Sequence, residues 1–358
     1  MDYTANVTSA TNYLLSQARQ LNFSGPNWWL PTGFNGTGNT GYGIKWSSAP
    51  GTINGEETYQ TGLVIPALSR LVNNPYGGSP LVSPGALISS GNAVVNGRTY
   101  ADVIQKAVDS FTYYQTGPTY GNRYGGWRYF AGENDSDMST TQWAPISFLF
   151  AQNVPGVTIP TNGNNSMKLA LQAWITACQN ATTGAVDYQP GAGILNATHL
   201  GGLLVSNFFA GGGGNVNKAL DWLNGDWLNG PSGTWYGNEG HPYAMWAVYK
   251  ALEKLYGTTA AGPITNLRSE PAGDLLDPGA VWNWWEDYCQ YLHSTQNANG
   301  SWNGYSYWTG PLATAWYINI LNATTTGGGG EVPEPATMIL LGSGLVGLAG
   351  YARRRMKK

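Results

Sequence analysis

The chain has 358 residues with 17 basic and 20 acidic side chains, about 10 % charged where a soluble domain usually carries roughly 25 %. Its 50 glycines follow no Gly-X-Y period and 16 Trp with 22 Tyr supply apolar area, so collagen and simple disorder are both excluded. The stretch after Gly330 holds five basic and two acidic residues, leaving 12 basic against 18 acidic before it; a body at −6 lacks the basic footprint that nucleic acid requires.

In chain order, the opening MDYTANVTSATNYLLSQ has neither a basic n-region nor an apolar h-region. A segment upstream of Met1, or export by another route, is therefore expected. Five segments then repeat one plan: an apolar helical stretch, a turn rich in Gly and Trp, and a second helix of small residues. The first runs from Tyr13-Leu14-Leu15 through Gly43 and Trp46 to a helix over 58–71. The second joins Val103 to Phe111 through Gly126-Trp127-Arg128-Tyr129 to Thr140-Thr141-Gln142-Trp143. The third joins Leu169 to Ile175 through Gly184 to Thr198-His199-Leu200, and the fourth joins Ala219 to Leu223 through Gly233 and Trp235 to Tyr243-Ala244-Met245-Trp246. In the fifth, Tyr288, Tyr291 and Leu292 share one helical face, Asn299-Gly300 closes that helix, and the partner starts at Thr314. Pro66 and Pro145 are expected in or near the first turn of second helices, where proline is tolerated. The pattern predicts an all-α fold: an α/α toroid of about five helical hairpins, spanning 1–326.

Cys178 and Cys289, 110 residues apart with no zinc-site spacing, read first as buried small hydrophobes, with a disulfide as the alternative. A Gly-rich linker, 327–331, leads to 332–358. There the turn Val332-Pro333-Glu334-Pro335 precedes an uncharged run, Ala336 to Ala352, and a basic cluster, Arg353, Arg354, Arg355, Lys357 and Lys358. Seventeen uncharged residues reach about 25 Å as a helix, the short end of a membrane span. The cations stop transfer and place the tail in the cytoplasm.

Two resemblances rest on these residues. Tyr291-Leu292, Gln296, Gly300 and Trp302 have the spacing of the QW motif of squalene-hopene and related terpenoid cyclases, with degenerate copies at Trp174-Ile175/Gln179/Gly184 and Trp222-Leu223/Gly233/Trp235. This implies the α/α toroid those enzymes share with protein prenyltransferases, in which Gln296, Gly300 and Trp302 staple the hairpin while the Trp stacks on the next one. The end of the chain resembles the PEP-CTERM sorting signal of bacterial envelope proteins, also known as the ice-binding-protein C-terminal motif. That implies recognition by a membrane-embedded exosortase, and a single-pass protein whose body lies outside the cytoplasm and is released if the tail is removed.

In such a toroid the second helices line the inside and their N-termini open on one mouth. That brings together Glu56, Glu57, Asp135, Asp137, His199 and His241. Asp135 and Asp137 match the first two acids of the cyclase DxDD motif, but Met138 stands at its fourth position. The four candidates for chemistry are Asp135, Asp137, His199 and His241, and their plainer roles are helix capping and helix-start hydrogen bonding. A capping Asp137 predicts little cost for Asp137→Asn and about 1 kcal/mol for Asp137→Ala. Glu56, Asp137 and Glu239 with Trp127, Trp235, Tyr236 and Trp302 could serve a glycan hydrolase or lyase. No metal or cofactor is expected; Gly211 to Gly214 lacks the Lys-Ser/Thr of a phosphate loop. The leading expectation is a sorted envelope protein that is a surface or ligand-binding module, for a glycan or an apolar ligand, more than an enzyme; the alternatives are a terpenoid-cyclase-like enzyme with a degraded acid motif and a glycan hydrolase or lyase.

Overall fold

The computed structural model describes residues 4–23, 41–47, 56–73, 79–160, 167–258, 261–270 and 282–322. They are mostly helical. The first hairpin is α1 (Thr4–Ser16), a β-ribbon of β1 (Ala18–Asn22) and β2 (Tyr42–Trp46), and α2 (Glu57–Val72). The second is α3 (Tyr100–Tyr114) with α4 (Met138–Thr141) and α5 (Trp143–Ala151). The third pairs α6 (Met167–Cys178) with α7 (Ala197–Ala210), and the fourth α8 (Val216–Asp226) with α9 (Pro242–Tyr256). The last is α10 (Trp284–Thr295), a short ribbon of β3 (Gly304–Tyr305) and β4 (Trp308–Thr309), and α11 (Pro311–Leu321).

Burial separates two sets of helices. α7 is buried at twelve of its fourteen positions and α8 at three of eleven, the difference between an internal helix and an amphipathic surface one. The internal set is consecutive: α2 packs on α5, α5 on α7, α7 on α9 and α9 on α11. Small residues allow the closest crossings. A Cβ on Gly62 would lie 2.6 Å from Trp143 Cβ, and one on Gly201 2.6 Å from the Ala247 carbonyl carbon. Aromatic rings fill the centre. Trp143 stacks on Trp246 at 4.8 Å, Trp246 on Trp316 at 5.7 Å, and Tyr243 lies 5.3 Å from Trp316 and 5.5 Å from Trp308. Each such ring takes about 150–250 Å² out of water, so this stack is a large apolar contact between hairpins.

Three local expectations change. Pro66 stands in the middle of α2, not in its first turn. Its missing N–H would leave the Gly62 carbonyl unpaired, and the Ser147 hydroxyl of α5 donates to that oxygen at 3.3 Å. α10 stops at Thr295, four residues before Asn299, because Gln296 turns extended (φ −69°, ψ 133°). The β1–β2 ribbon replaces what reads as an irregular glycine turn. It pairs antiparallel, Ala18 with Trp46 through Asn22 with Tyr42, and is held on α3 by the Ser110 hydroxyl, which donates to Ile44 O at 2.9 Å. Cys178 and Cys289 are free and buried, and burial raises both thiols above their ordinary pKa. Among the described residues no helix is long and apolar enough to cross a membrane; the expected span, Ala336 to Ala352, lies outside them.

Candidate functional site

A repeated tie sets the geometry of the hairpin turns. The indole N–H of Trp46 donates to Leu14 O, that of Trp127 to Phe111 O and that of Trp302 to Leu292 O, at 2.7 to 2.8 Å. In each case the same tryptophan's backbone N–H donates to a threonine in the first turns of the inner helix, Thr61, Thr141 or Thr314. A glutamine joins the tie in the second and last hairpins, where Gln115 donates to Gly125 O and Gln296 to Gly300 O, and Gln179 makes the same bond to Gly184 O in the third hairpin without a tryptophan. Gln115 and Gln179 also reach the start of the next outer helix, at Met167 O and Asn215 O. Sequence reading missed Gln115, although it stands four residues after Phe111 as Gln296 does after Leu292. Among the described residues Trp127 meets the Phe148 ring and Trp302 the Tyr317 ring, each on its own inner helix and not on the next hairpin. In the fourth hairpin Asn238 donates to Trp227 O instead, and Trp235 lies edge-on to Trp308.

These ties put the inner-helix N-termini side by side. Asp137 is fully buried and caps α4: its Oδ1 accepts from Thr140 N at 2.8 Å and from the Ser139 hydroxyl at 2.5 Å. Its Oδ2 accepts from Arg128 at 2.5 Å. Arg128, two residues beyond Gly126, is the hub. Its guanidinium bonds the Tyr188 hydroxyl, lies 4.5 Å from the Tyr129 ring, and approaches Glu133 and Asp135 at 3.5 and 3.4 Å. Burial lowers the Arg128 pKa, but Asp137 and the two tyrosines outweigh it, so the guanidinium stays charged. Asp135 is partly exposed and held by Arg123 at 3.1 Å and by Gln189 at 3.1 Å to both oxygens.

His199 is fully buried, with its ring 5.4 Å from Tyr188 and Nδ1 3.0 Å from Ile194 O. His241 caps α9 through the Ala244 N–H, and its ring faces Trp308 at 4.7 Å. Burial lowers both imidazoles, to about 3 and about 4, so both are neutral at pH 7. Asp135, Asp137 and His199 thus share the Arg128–Tyr188 contact. His241 is one layer away, reached through Trp308 and Tyr243, whose hydroxyl donates to Ser139 O at 2.5 Å. Glu57 is buried against Lys45 at 2.6 Å and accepts from the Tyr114 hydroxyl; Glu56 sits at the N-terminus of α2 with a left-handed backbone (φ 49°). Around Arg128 stand half-buried rings, Tyr59, Tyr129 and Tyr188, which give this mouth an aromatic rim.

Glu239 does not belong to that group. Arg268 binds both its oxygens, and the same guanidinium lies 3.5 Å from Asp287, which accepts from Trp227 Nε1 at 2.7 Å. Burial raises the Glu239 carboxyl to about 7, and neighbouring Asp287 adds to the rise against the pull of Arg268. Among the described residues no three His, Cys, Asp or Glu side chains converge to hold a metal ion.

Residues 331–355, outside the described part, match the PEP-CTERM protein-sorting motif. No curated protein matches the sequence. Among solved structures the chain is similar to the type II terpene cyclase MstE from Scytonema without ligand, at 14 % identity and TM-score 0.46 over 96 % of this chain and 77 % of that one. A variant of that enzyme matches at 13 % and 0.47 over 96 % and 79 %. Another, in complex with its substrate geranylgeranyl dihydroxybenzoate, matches at 13 % and 0.46 over 97 % and 79 %.

Proposed function

We propose that this is an exported bacterial envelope protein, sorted through its C-terminal motif, whose helical body is a ligand-binding or surface module without acid catalysis. The sorting motif at 331–355 carries the reading. An exosortase-type enzyme would recognise Val332-Pro333-Glu334-Pro335, the run to Ala352 would span the membrane, and Arg353, Arg354, Arg355, Lys357 and Lys358 would hold the tail inside. The body, 1–326, would be an α/α toroid joined by the 327–331 linker.

The state of Asp137 supports the non-catalytic half. An acid that protonates an alkene must be protonated and aimed at its substrate. Asp137 instead has both oxygens taken by Arg128, Ser139 and Thr140. The aromatic rim of Tyr59, Tyr129 and Tyr188 suits a glycan or an apolar ligand, which would stack on it without chemistry.

Expression behind an added secretory leader, in a bacterium that carries an exosortase-type enzyme, tests the address. The full chain should fractionate with the envelope, and the chain lacking Val332–Lys358 should appear in the soluble fraction. A truncated chain that stays with membranes would overturn the assignment.

A further inference from the structure

The inner helices run in one direction, so their C-termini share one end of the body. Trp308, three residues before α11, packs on His241 and Tyr243 at the start of α9, at 4.7 and 5.5 Å, so the two helices begin side by side. At the far end Arg70 of α2 lies over the Phe150 ring of α5, and Lys254 of α9 over the Phe208 ring of α7, at 5.2 and 5.9 Å. There too the Trp285 indole of α10 donates to Ile320 O, in the last turn of α11, at 2.7 Å. The described chain ends at Asn322, and it therefore leaves the body from the end opposite Asp137 and Arg128.

That end joins exposed apolar side chains to exposed charge. Phe208 is 40 % exposed and Tyr256, the last residue of α9, 36 %. Lys168, whose ammonium lies 4.6 Å from the Phe209 ring, sets the first turn of α6 beside them, with Leu169 50 % exposed. Lys254 is exposed and Lys168 half-buried, while Glu253 contacts Lys250 at 3.2 Å and Glu286 is held in the buried capping box of α10. At the other end Glu133, Asp135 and Asp137 outnumber Arg123 and Arg128.

Exposed apolar residues are ordinary by themselves; where the chain goes next gives these a partner. Thirteen residues, 323–335, join Asn322 to the uncharged run that begins at Ala336. A Gly-rich stretch of that length reaches about 20 Å. The fifteen residues of α9 measure about 22 Å along its axis. A run that spans the bilayer thus keeps the C-terminal end close to the membrane surface and sets the Arg128 mouth a helix length further away.

We infer that the end bearing Leu169, Phe208, Lys254 and Tyr256 docks on an anionic phospholipid bilayer, so that the Arg128 mouth faces away from the membrane. The inference rests on the reading of Ala336 to Ala352 as a membrane span. Leu169, Phe208 and Tyr256 enter the interfacial layer, and Lys168 and Lys254 meet the lipid phosphates, the combination by which a surface lies on a membrane.

Fluorescence quenching of the full chain in phosphatidylethanolamine–phosphatidylglycerol vesicles tests it. The probe is attached at Gln152→Cys, exposed just beyond α5 at the docked end, or at Tyr307→Cys, exposed beside Trp308 at the other; Cys178 and Cys289 are buried. A spin-labelled lipid headgroup should quench the first probe about threefold more than the second. Phe208→Ser and Lys254→Glu, both at exposed positions, should each reduce that excess about twofold. Equal quenching at the two ends, or an excess that both variants leave unchanged, would overturn the docking. A full chain that does not float with the vesicles would instead overturn the spanning run, and the docking with it.

Discussion

Asp137 shows how one side chain exceeds its local role. Capping alone predicts a loss of about 1 kcal/mol for Asp137→Ala. The side chain also neutralises Arg128, whose side chain is only 14 % exposed, and removing one partner of a buried pair strands the other charge. Asp137→Ala is therefore expected to cost about 3 kcal/mol in denaturant unfolding. Asp137→Asn, which keeps the cap and loses the charge, should fall between that value and wild type. The buried histidines give a pH dependence of definite sign. Folding lowers both pKa values below the ordinary 6.5, so their contribution is complete above pH 6.5 and is lost as pH falls toward 4 and 3. Between pH 7 and 5 each should cost about 2 kcal/mol. Glu239 acts in the opposite sense: raised to about 7, it contributes fully below pH 4.5 and loses that contribution as pH rises through 7. Melting curves at pH 5 and 7 separate the two. His199→Gln with His241→Asn should remove the acid loss, and Glu239→Gln should deepen it.

At the scale of the element, the glycine next to each tie decides how closely hairpins approach. A Cβ on Gly125 would lie 1.9 Å from Ala170 O of α6, and one on Gly184 2.1 Å from Lys218 O of α8, each the next outer helix. Both also have positive φ, +94° and +79°. Gly300 has the same backbone (φ +81°) in the last hairpin but nothing within 4 Å. Gly125→Ala and Gly184→Ala should each cost more than about 3 kcal/mol, by a backbone clash added to strain. Gly300→Ala should cost about 1 kcal/mol, for the left-handed conformation alone. Equal costs at all three in chemical denaturation would remove close approach as the explanation.

For the whole molecule, a chain with about 10 % charged residues places some of its few charges in internal pairs. Lys45 with Glu57, Arg128 with Asp137, and Arg268 with Glu239 each tie a turn or loop to an inner helix or its N-terminal lead-in. The aromatic stack of Trp143, Tyr243, Trp246 and Trp316 joins α5, α9 and α11 across the centre, and Tyr59 brings in α2. Carboxylates and histidines gather at the inner-helix N-termini at one end of that stack, and Arg70 and Lys254 stand in the last turns of α2 and α9 at the other, where the macrodipole favours a cation.

The helical hairpins and the tail were legible because their signals are local. Apolar residues three and four apart, Gly-Trp turns and a Pro-Glu-Pro before an uncharged run all fall within one stretch of chain, and short-range sterics and hydropathy suffice to read them. Gln296 and Trp302 could be placed for the same reason. What stayed hidden depends on partners distant in sequence. Ala18–Asn22 carries no alternating pattern and becomes a strand only with β2, which α3 holds in place. Pro66 is tolerated in mid-helix because Ser147, on another helix, takes the orphaned carbonyl. Arg128 meets Tyr188 sixty residues on, and Tyr243 meets Ser139 from more than a hundred residues away. Such contacts are created by packing, and no window of sequence contains both of their halves.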